Sequence, residues 1–216
     1  MADSGERRFG EQPLAQTTAA AAAIRRLSAM VLSLEHAHPT VDAMLRQFAD
    51  WERELAADVP VNHEPRLDTD DSDKRIYLQH AFDIGGYNPC FPEYRFDDLS
   101  PDAATGGVTF PLVFEGPPGL VHGGFLGVFF DCVTQHHSCA VGKAGKTRSL
   151  TVTYRRPTPL ETPLRFDIAR SEAERGIVST ARLLLDGEVL CSGEAATVAL
   201  PPERLSANRY GRRREH

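Results

Sequence analysis

The sequence predicts an α+β fold: a curved antiparallel sheet wrapped around one long buried helix, preceded by an N-terminal helical hairpin. Three observations carry this. Residues 119–142, GLVHGGFLGVFFDCVTQHHSCAVG, are apolar without alternation, which predicts a helix, and apolar all round, which predicts a buried one. On either side of it the period shortens towards two, as strands require. Between residues 13 and 57, by contrast, Ala, Leu and Met recur at helical spacing.

The 216 residues suit one domain plus an extension and leave ample chain for a core. A formal charge of -6 argues against a general nucleic-acid binder. Cys90, Cys132, Cys139 and Cys191 show no Cys-x-x-Cys spacing, and two of them lie in the apolar helix, where a thiol behaves as a small hydrophobe. The polar start and the short Ala19–Ala23 run do not make a secretory signal, and no charge-free apolar run is long enough for a membrane span. The expectation is a soluble cytoplasmic protein.

In chain order, Ile24, Leu27, Met30, Val31 and Leu34 form one helical stripe, and Val41, Met44, Leu45, Phe48 and Leu55 form another. Between them stands His38-Pro39-Thr40, with Thr40 placed as an N-cap. This hairpin carries no chemistry; its expected role is packing, against the main domain or a second subunit. The acidic connector that follows contains Asp68-Thr69-Asp70-Asp71-Ser72-Asp73, which fails as a calcium loop. Asp73 stands where the turn needs glycine, and Gln79 stands where a bidentate Glu belongs. Strands are expected at 76–82 and 107–114, separated by a loop through Gly85, Gly86, Pro89 and Pro92. After the helix come four more, at 147–156, 163–170, 177–185 and 188–200, read as an antiparallel meander. In the first of these Leu150, Val152 and Tyr154 share one face and Ser149, Thr151 and Thr153 the other. Asp186-Gly187 is a two-residue hairpin turn.

Asp131 is the only formally charged residue between His122 and Ala140. A carboxylate inside a buried helix is costly unless it is paired or used. Its context resembles the hotdog-fold acyl-CoA thioesterases. The likeness rests on Val121-His122-Gly123-Gly124, Asp131 nine residues after the histidine, Thr147 sixteen after the aspartate, and Tyr154-Arg155-Arg156-Pro157. The branch it resembles is the phenylacetate-pathway (PaaI-like) and human mitochondrial long-chain type. The resemblance implies a hotdog domain at 75–200, leaving an N-terminal helical extension at 1–62 and a basic tail at 201–216.

By position match the family would use Gly123 as the N–H donor to the thioester carbonyl. It would use Asp131 either as nucleophile or to activate water, Thr147 to position that water, and His122 to orient the glycine turn. Physical chemistry agrees with the first of these. Two residues without side chains, Gly123 and Gly124, let backbone N–H groups approach a ligand at a helix N-terminus, where the dipole favours developing negative charge. Relatives often carry an Asn six residues before this histidine; Gly116 stands here, with Glu115 as the candidate replacement. Lys143, Lys146, Arg155 and Arg156 could meet the phosphates of coenzyme A, or equally form a solvated charge cluster.

A rise of about 1.5 Å per residue separates Gly123 from Asp131 by roughly 12 Å along one helix, whereas donor and carboxylate must both lie about 3 Å from the reacting atoms. The site is therefore expected to be shared between antiparallel subunits of a homodimer or dimer of dimers.

Decoys are set aside. AVGKAGKT at 140–147 lacks the first P-loop glycine and runs from helix to strand. His136 and His137 diverge by about 100° on a helix. His122, His136 and Cys139 lack any recognised zinc spacing. Cys132 is a poor nucleophile in an apolar setting. No metal or redox cofactor is implied, and the expected activity is hydrolysis of an acyl-CoA. The competing classes are a non-catalytic acyl-CoA sensor, a hotdog dehydratase, and a partner-binding protein working through its hairpin.

Overall fold

The computed structural model describes residues 15–58, 84–141, 145–173 and 176–199. The acidic connector, the strand expected at 76–82, Lys143 and the basic tail lie outside them.

Helices α1 (Ala15–Leu32) and α2 (Pro39–Asp58) match the two N-terminal stripes. Thr40 is not the cap. His38 accepts the Thr40 N–H at its Nδ1 (3.1 Å), its carbonyl accepts the Val41 N–H, and Pro39 fills the first helical position, where a missing N–H costs nothing. α1 docks through Ala21 and Arg25. The Arg25 guanidinium is 7% exposed and reaches Glu93 (2.8 Å) and the Gly85 carbonyl. α1 therefore docks by a face other than its stripe, and the two stripes do not zip together. Ile24, Val31, Leu34, Leu45 and Leu55 are all exposed, and α2 buries no residue.

A short helical turn, α3 (Ile84–Tyr87), leads into β1 (Tyr94–Leu99) and β2 (Ala103–Val108). β1 was not expected. It reads YRFDDL, with a β-bulge between Phe96 and Asp98 that breaks the alternation. The second expected strand, at 107–114, is displaced: β2 ends at Val108, and Leu112–Phe114 forms a single 3-10 turn set between Pro111 and Glu115.

Helix α4 (Gly123–Ala140) is followed by β3 (Gly145–Tyr154), β4 (Leu164–Ala173), β5 (Gly176–Leu185) and β6 (Glu188–Ala199). All pairings are antiparallel, and the order is β1-β2-β4-β5-β6-β3. The expected four-strand meander is therefore three strands, β4-β5-β6, while β3 pairs with β6 at the sheet edge. The β3–β4 connection explains the crossover. Thr158 accepts the Val121 N–H, Leu160 donates to the Gly119 carbonyl and Glu161 donates to the Phe110 carbonyl, so this Pro-containing segment is tied to the helix entrance. Asp186 (φ 50) and Gly187 (φ 83) make the expected β5–β6 turn, with both central residues left-handed.

α4 packs on one face of the sheet. Phe129 and Phe130 are fully buried, and the Phe129 ring meets Phe110 and Phe166 edge-on, each at 5.5 Å. Each such side chain contributes about 1.5–3 kcal/mol by leaving water. The helix is not buried all round, however. His122 and Gly124 are exposed and Asp131 is half-buried, so one strip beside β3 stays open.

Candidate active site

The open strip follows from helical spacing. Gly123, Gly127, Asp131 and Gln135 recur every four residues and so share one face of α4. β3 runs antiparallel along that face. Tyr154 stands at Gly123, Val152 at Gly127 and Thr147 at Asp131.

Thr147 reaches Asp131 only because of a β-bulge. Thr147 lies opposite Thr197 and Ser149 opposite Ala196, with Arg148 as the extra residue between them. Parity alone would put Thr147 with Ser149, Thr151 and Thr153, facing away from the helix. The bulge turns it to the helix side, with Leu150, Val152 and Tyr154. There its hydroxyl donates to Asp131 Oδ1 at 2.7 Å, a charge-assisted bond in the short range. Thr147 Oγ1 in turn accepts from Gln135 Nε2 at 2.7 Å, and Nε2 also donates to Thr197 Oγ1 at 3.2 Å. The cost of a charge on this helix is met in two ways: Asp131 keeps partial contact with solvent, and it holds a hydroxyl partner.

At the other end of the strip, His122 is the N-cap of α4, and its Nδ1 accepts the Gly124 N–H at 3.0 Å. An accepting Nδ1 leaves the ring proton on Nε2. The His122 carbonyl takes the N–H groups of Phe125 and Leu126. Of the first three helical N–H groups, which have no carbonyl four residues back within the helix, that of Gly123 is the one these bonds leave over. Tyr154 donates to the Gly123 carbonyl at 2.9 Å, and a Cβ on Gly123 would sit 3.1 Å from its hydroxyl oxygen.

The loop before His122 explains the glycine at position 116. A Cβ on Gly116 would lie 2.7 Å from His122 Cα, so this position must be bare for the histidine to enter. Glu115 does not hold His122: it accepts the Gly119 N–H at 2.8 Å.

The three described cationic candidates divide between the two ends of β3. Lys146 is half-buried beside Thr147, while Arg155 and Arg156 follow Tyr154, with Arg156 engaged by Glu188 at 2.8 Å. At about 3.3 Å per residue those ends are some 30 Å apart.

The two adjacent histidines diverge. His136 bonds the Tyr94 hydroxyl, and His137 donates from Nε2 to the Ser100 carbonyl at 2.6 Å. Burial pushes the Cys139 and Cys191 thiols up to about 11, which disables them as nucleophiles near neutral pH. Among the described residues no three His, Cys, Asp or Glu side chains are placed to hold a metal, and no helix is long and apolar enough to cross a membrane.

Gln135 and Tyr154 were not read as site residues in the sequence. The available signal for Gln135 was a neutral amide one turn after the lone carboxylate. For Tyr154 it was the family-like tetrapeptide in which it stands.

No family model and no curated protein matches the chain. Among solved structures, a thioesterase superfamily protein is 27% identical, with a TM-score of 0.70, over 86% of this chain and 96% of that one. A match over 86% of the chain extends well beyond the sheet and α4, which occupy residues 94–199, so it takes in N-terminal sequence as well. A Streptococcus mutans UA159 protein bound to acetyl CoA is 12% identical (TM-score 0.47, 50% of this chain and 89% of that one). A phenylacetic acid degradation-related protein from Ralstonia eutropha JMP134 is 23% identical (TM-score 0.44, 50% and 83%). The last two likenesses are confined to half of the chain. The fold, with its helix-backed six-stranded antiparallel sheet and N-terminal helices, is the hotdog fold of the thioesterase superfamily.

Proposed function

We propose that the chain hydrolyses the thioester of an acyl-CoA to the free acid and coenzyme A, at a site shared between two subunits. The observation that carries this reading is the Asp131–Thr147 pair, 2.7 Å apart on the open strip that begins at the Gly123 amide. A carboxylate beside a hydroxyl, reached by solvent on a helix with no other formal charge, is placed to take a proton from water. A free N–H at a helix N-terminus suits an oxyanion.

In the step we propose, Asp131 removes a proton from a water held at Thr147, and the water oxygen attacks the thioester carbon. The carbonyl oxygen becomes an oxyanion that accepts the Gly123 N–H. Collapse of the tetrahedral intermediate breaks the C–S bond, and the proton returns to the departing thiolate.

The geometry also favours two subunits. Among the described residues β3 is a sheet edge, and an exposed edge is a template for pairing with another strand. Antiparallel pairing of β3 with its two-fold copy, centred on Thr151 and with Arg148 again the extra residue, sets Thr147 opposite Tyr154 of the partner subunit. Asp131 then faces the partner's Gly123. The same register sets Lys146 opposite the partner's Arg155, which gathers the divided cations where the phosphates of coenzyme A would pass.

Thiol release from short, long and aromatic acyl-CoAs tests the activity. Wild type is expected to release coenzyme A from at least one of them, and Asp131→Asn and Asp131→Ala are each expected to lose about a hundredfold or more. Activity that survives both substitutions would remove Asp131 from the mechanism. Tight acyl-CoA binding without release would make the protein a sensor.

A further inference from the structure

We propose that Gln135 is a positioning residue that fixes the direction of the Thr147 hydroxyl, so that Thr147 donates to Asp131 and can only accept from the attacking water. This rests on the reading of Asp131 as the working carboxylate.

A hydroxyl has one proton and two acceptor lone pairs, an ionised carboxylate only accepts, and an amide nitrogen only donates. Thr147 Oγ1 stands 2.7 Å from Asp131 Oδ1 and 2.7 Å from Gln135 Nε2. Its proton is therefore committed to Asp131 and one lone pair to Gln135. The single remaining lone pair can do nothing but accept. A water that gives one hydrogen to Thr147 and the other to the free oxygen of Asp131 turns its own lone pair outward, towards a carbonyl carbon. Without the Gln135 bond the hydroxyl is free to turn and donate to the water instead, which would occupy the lone pair that must attack.

Gln135 is itself held from behind. It is 7% exposed, and its second N–H goes to Thr197, which is 6% exposed and lies directly across the β3–β6 ladder from Thr147. Turning the amide over would send the Thr147 proton to Gln135 and set the hydroxyl oxygen against Asp131 lone pair to lone pair. The orientation is bought at a cost, since Gln135 Oε1 is buried without a hydrogen-bond partner. A leucine or methionine here would avoid that cost, but it would give Thr147 no donor.

The test compares wild type with Gln135→Met and Gln135→Glu, using the acyl-CoA that wild type hydrolyses fastest. Both variants are expected to lower kcat by about tenfold or more while KM stays within about twofold, as loss of transition-state positioning requires. A kcat within about twofold of wild type in either variant, with its thermal unfolding unchanged, would overturn the proposal. A second arm does not depend on activity. In nuclear magnetic resonance spectra of the full chain, the two Gln135 side-chain amide protons are expected to be slow to exchange. Thr147→Val should move one of them and Thr197→Val the other. If Thr147→Val moves neither, the relay does not exist. If the amide protons behave as expected while wild type cleaves no thioester, the proposed activity fails and the relay stands as a structural network.

Discussion

The Tyr154 hydroxyl and the Gly123 carbonyl are 2.9 Å apart, so the last residue of β3 holds the first peptide unit of α4. That peptide is pinned twice, because its N–H, on Gly124, goes to His122 Nδ1. With both ends fixed, the direction of the preceding N–H, the one assigned to the oxyanion, is fixed as well. Tyr154→Phe keeps the ring and removes the bond. It is expected to lower kcat several-fold and to cost stability only about 0.5–1.5 kcal/mol. Unchanged kcat with the same small stability loss would reduce Tyr154 to a packing residue.

Proline at Gly123 removes the N–H that alanine would keep. Either adds a Cβ 3.1 Å from the Tyr154 hydroxyl, which must give by a few tenths of an ångström. Gly123 occupies the first helical position, where proline is tolerated, and His122 before it has φ -65 and ψ 131, an extended conformation that suits a residue preceding proline. Gly123→Pro is expected to leave the helix in place and to lower kcat by about 10²–10³, as loss of one oxyanion donor does. Circular dichroism matching wild type with undiminished thiol release would show that this N–H has no part in the reaction.

His137 links stability to pH. It is fully buried, and burial pushes its pKa below the usual histidine value. The Ser100 carbonyl and Asp102 oppose that shift, and Arg170 adds to it. As pH falls through about 6.5 the unfolded chain takes up a proton that folded His137 refuses, so stability present at neutral pH is lost on the acid side. Urea midpoints measured from pH 7.5 to 5 should fall for wild type and fall less for His137→Gln. Parallel curves for the two proteins would contradict this.

The helix, the hairpin turn at Asp186-Gly187 and strands β3 to β6 were legible because each rests on a local signal: an unbroken apolar run, a turn dipeptide, a period of two. Asp131, Gly123 and Thr147 were legible as a spacing. What escaped depends on contacts distant in sequence. The crossover that sends β3 to the sheet edge is set by bonds from Thr158, Leu160 and Glu161 to the helix entrance. The bulge at Arg148, without which Thr147 would face away from Asp131, appears only when β3 is paired with β6. β1 was missed because its own bulge disrupts the alternation, and Gln135 because its partners lie on two strands that pair only in the folded sheet. The role given to Glu115 failed for a local reason, since the Gly119 amide four residues on claims its carboxylate.

If Gly123 and Asp131 act on one carbonyl from different chains, mixing subunits restores activity that neither variant has alone. Asp131→Asn and Gly123→Pro are unfolded together, refolded as a mixture, and assayed for thiol release beside each variant refolded alone. Half of randomly paired dimers are hybrids, and a hybrid of two-fold symmetry has one site with both defects and one with neither. Recovery to about a quarter of wild-type activity is the expected result. A mixture no more active than the two variants apart would contradict the shared site.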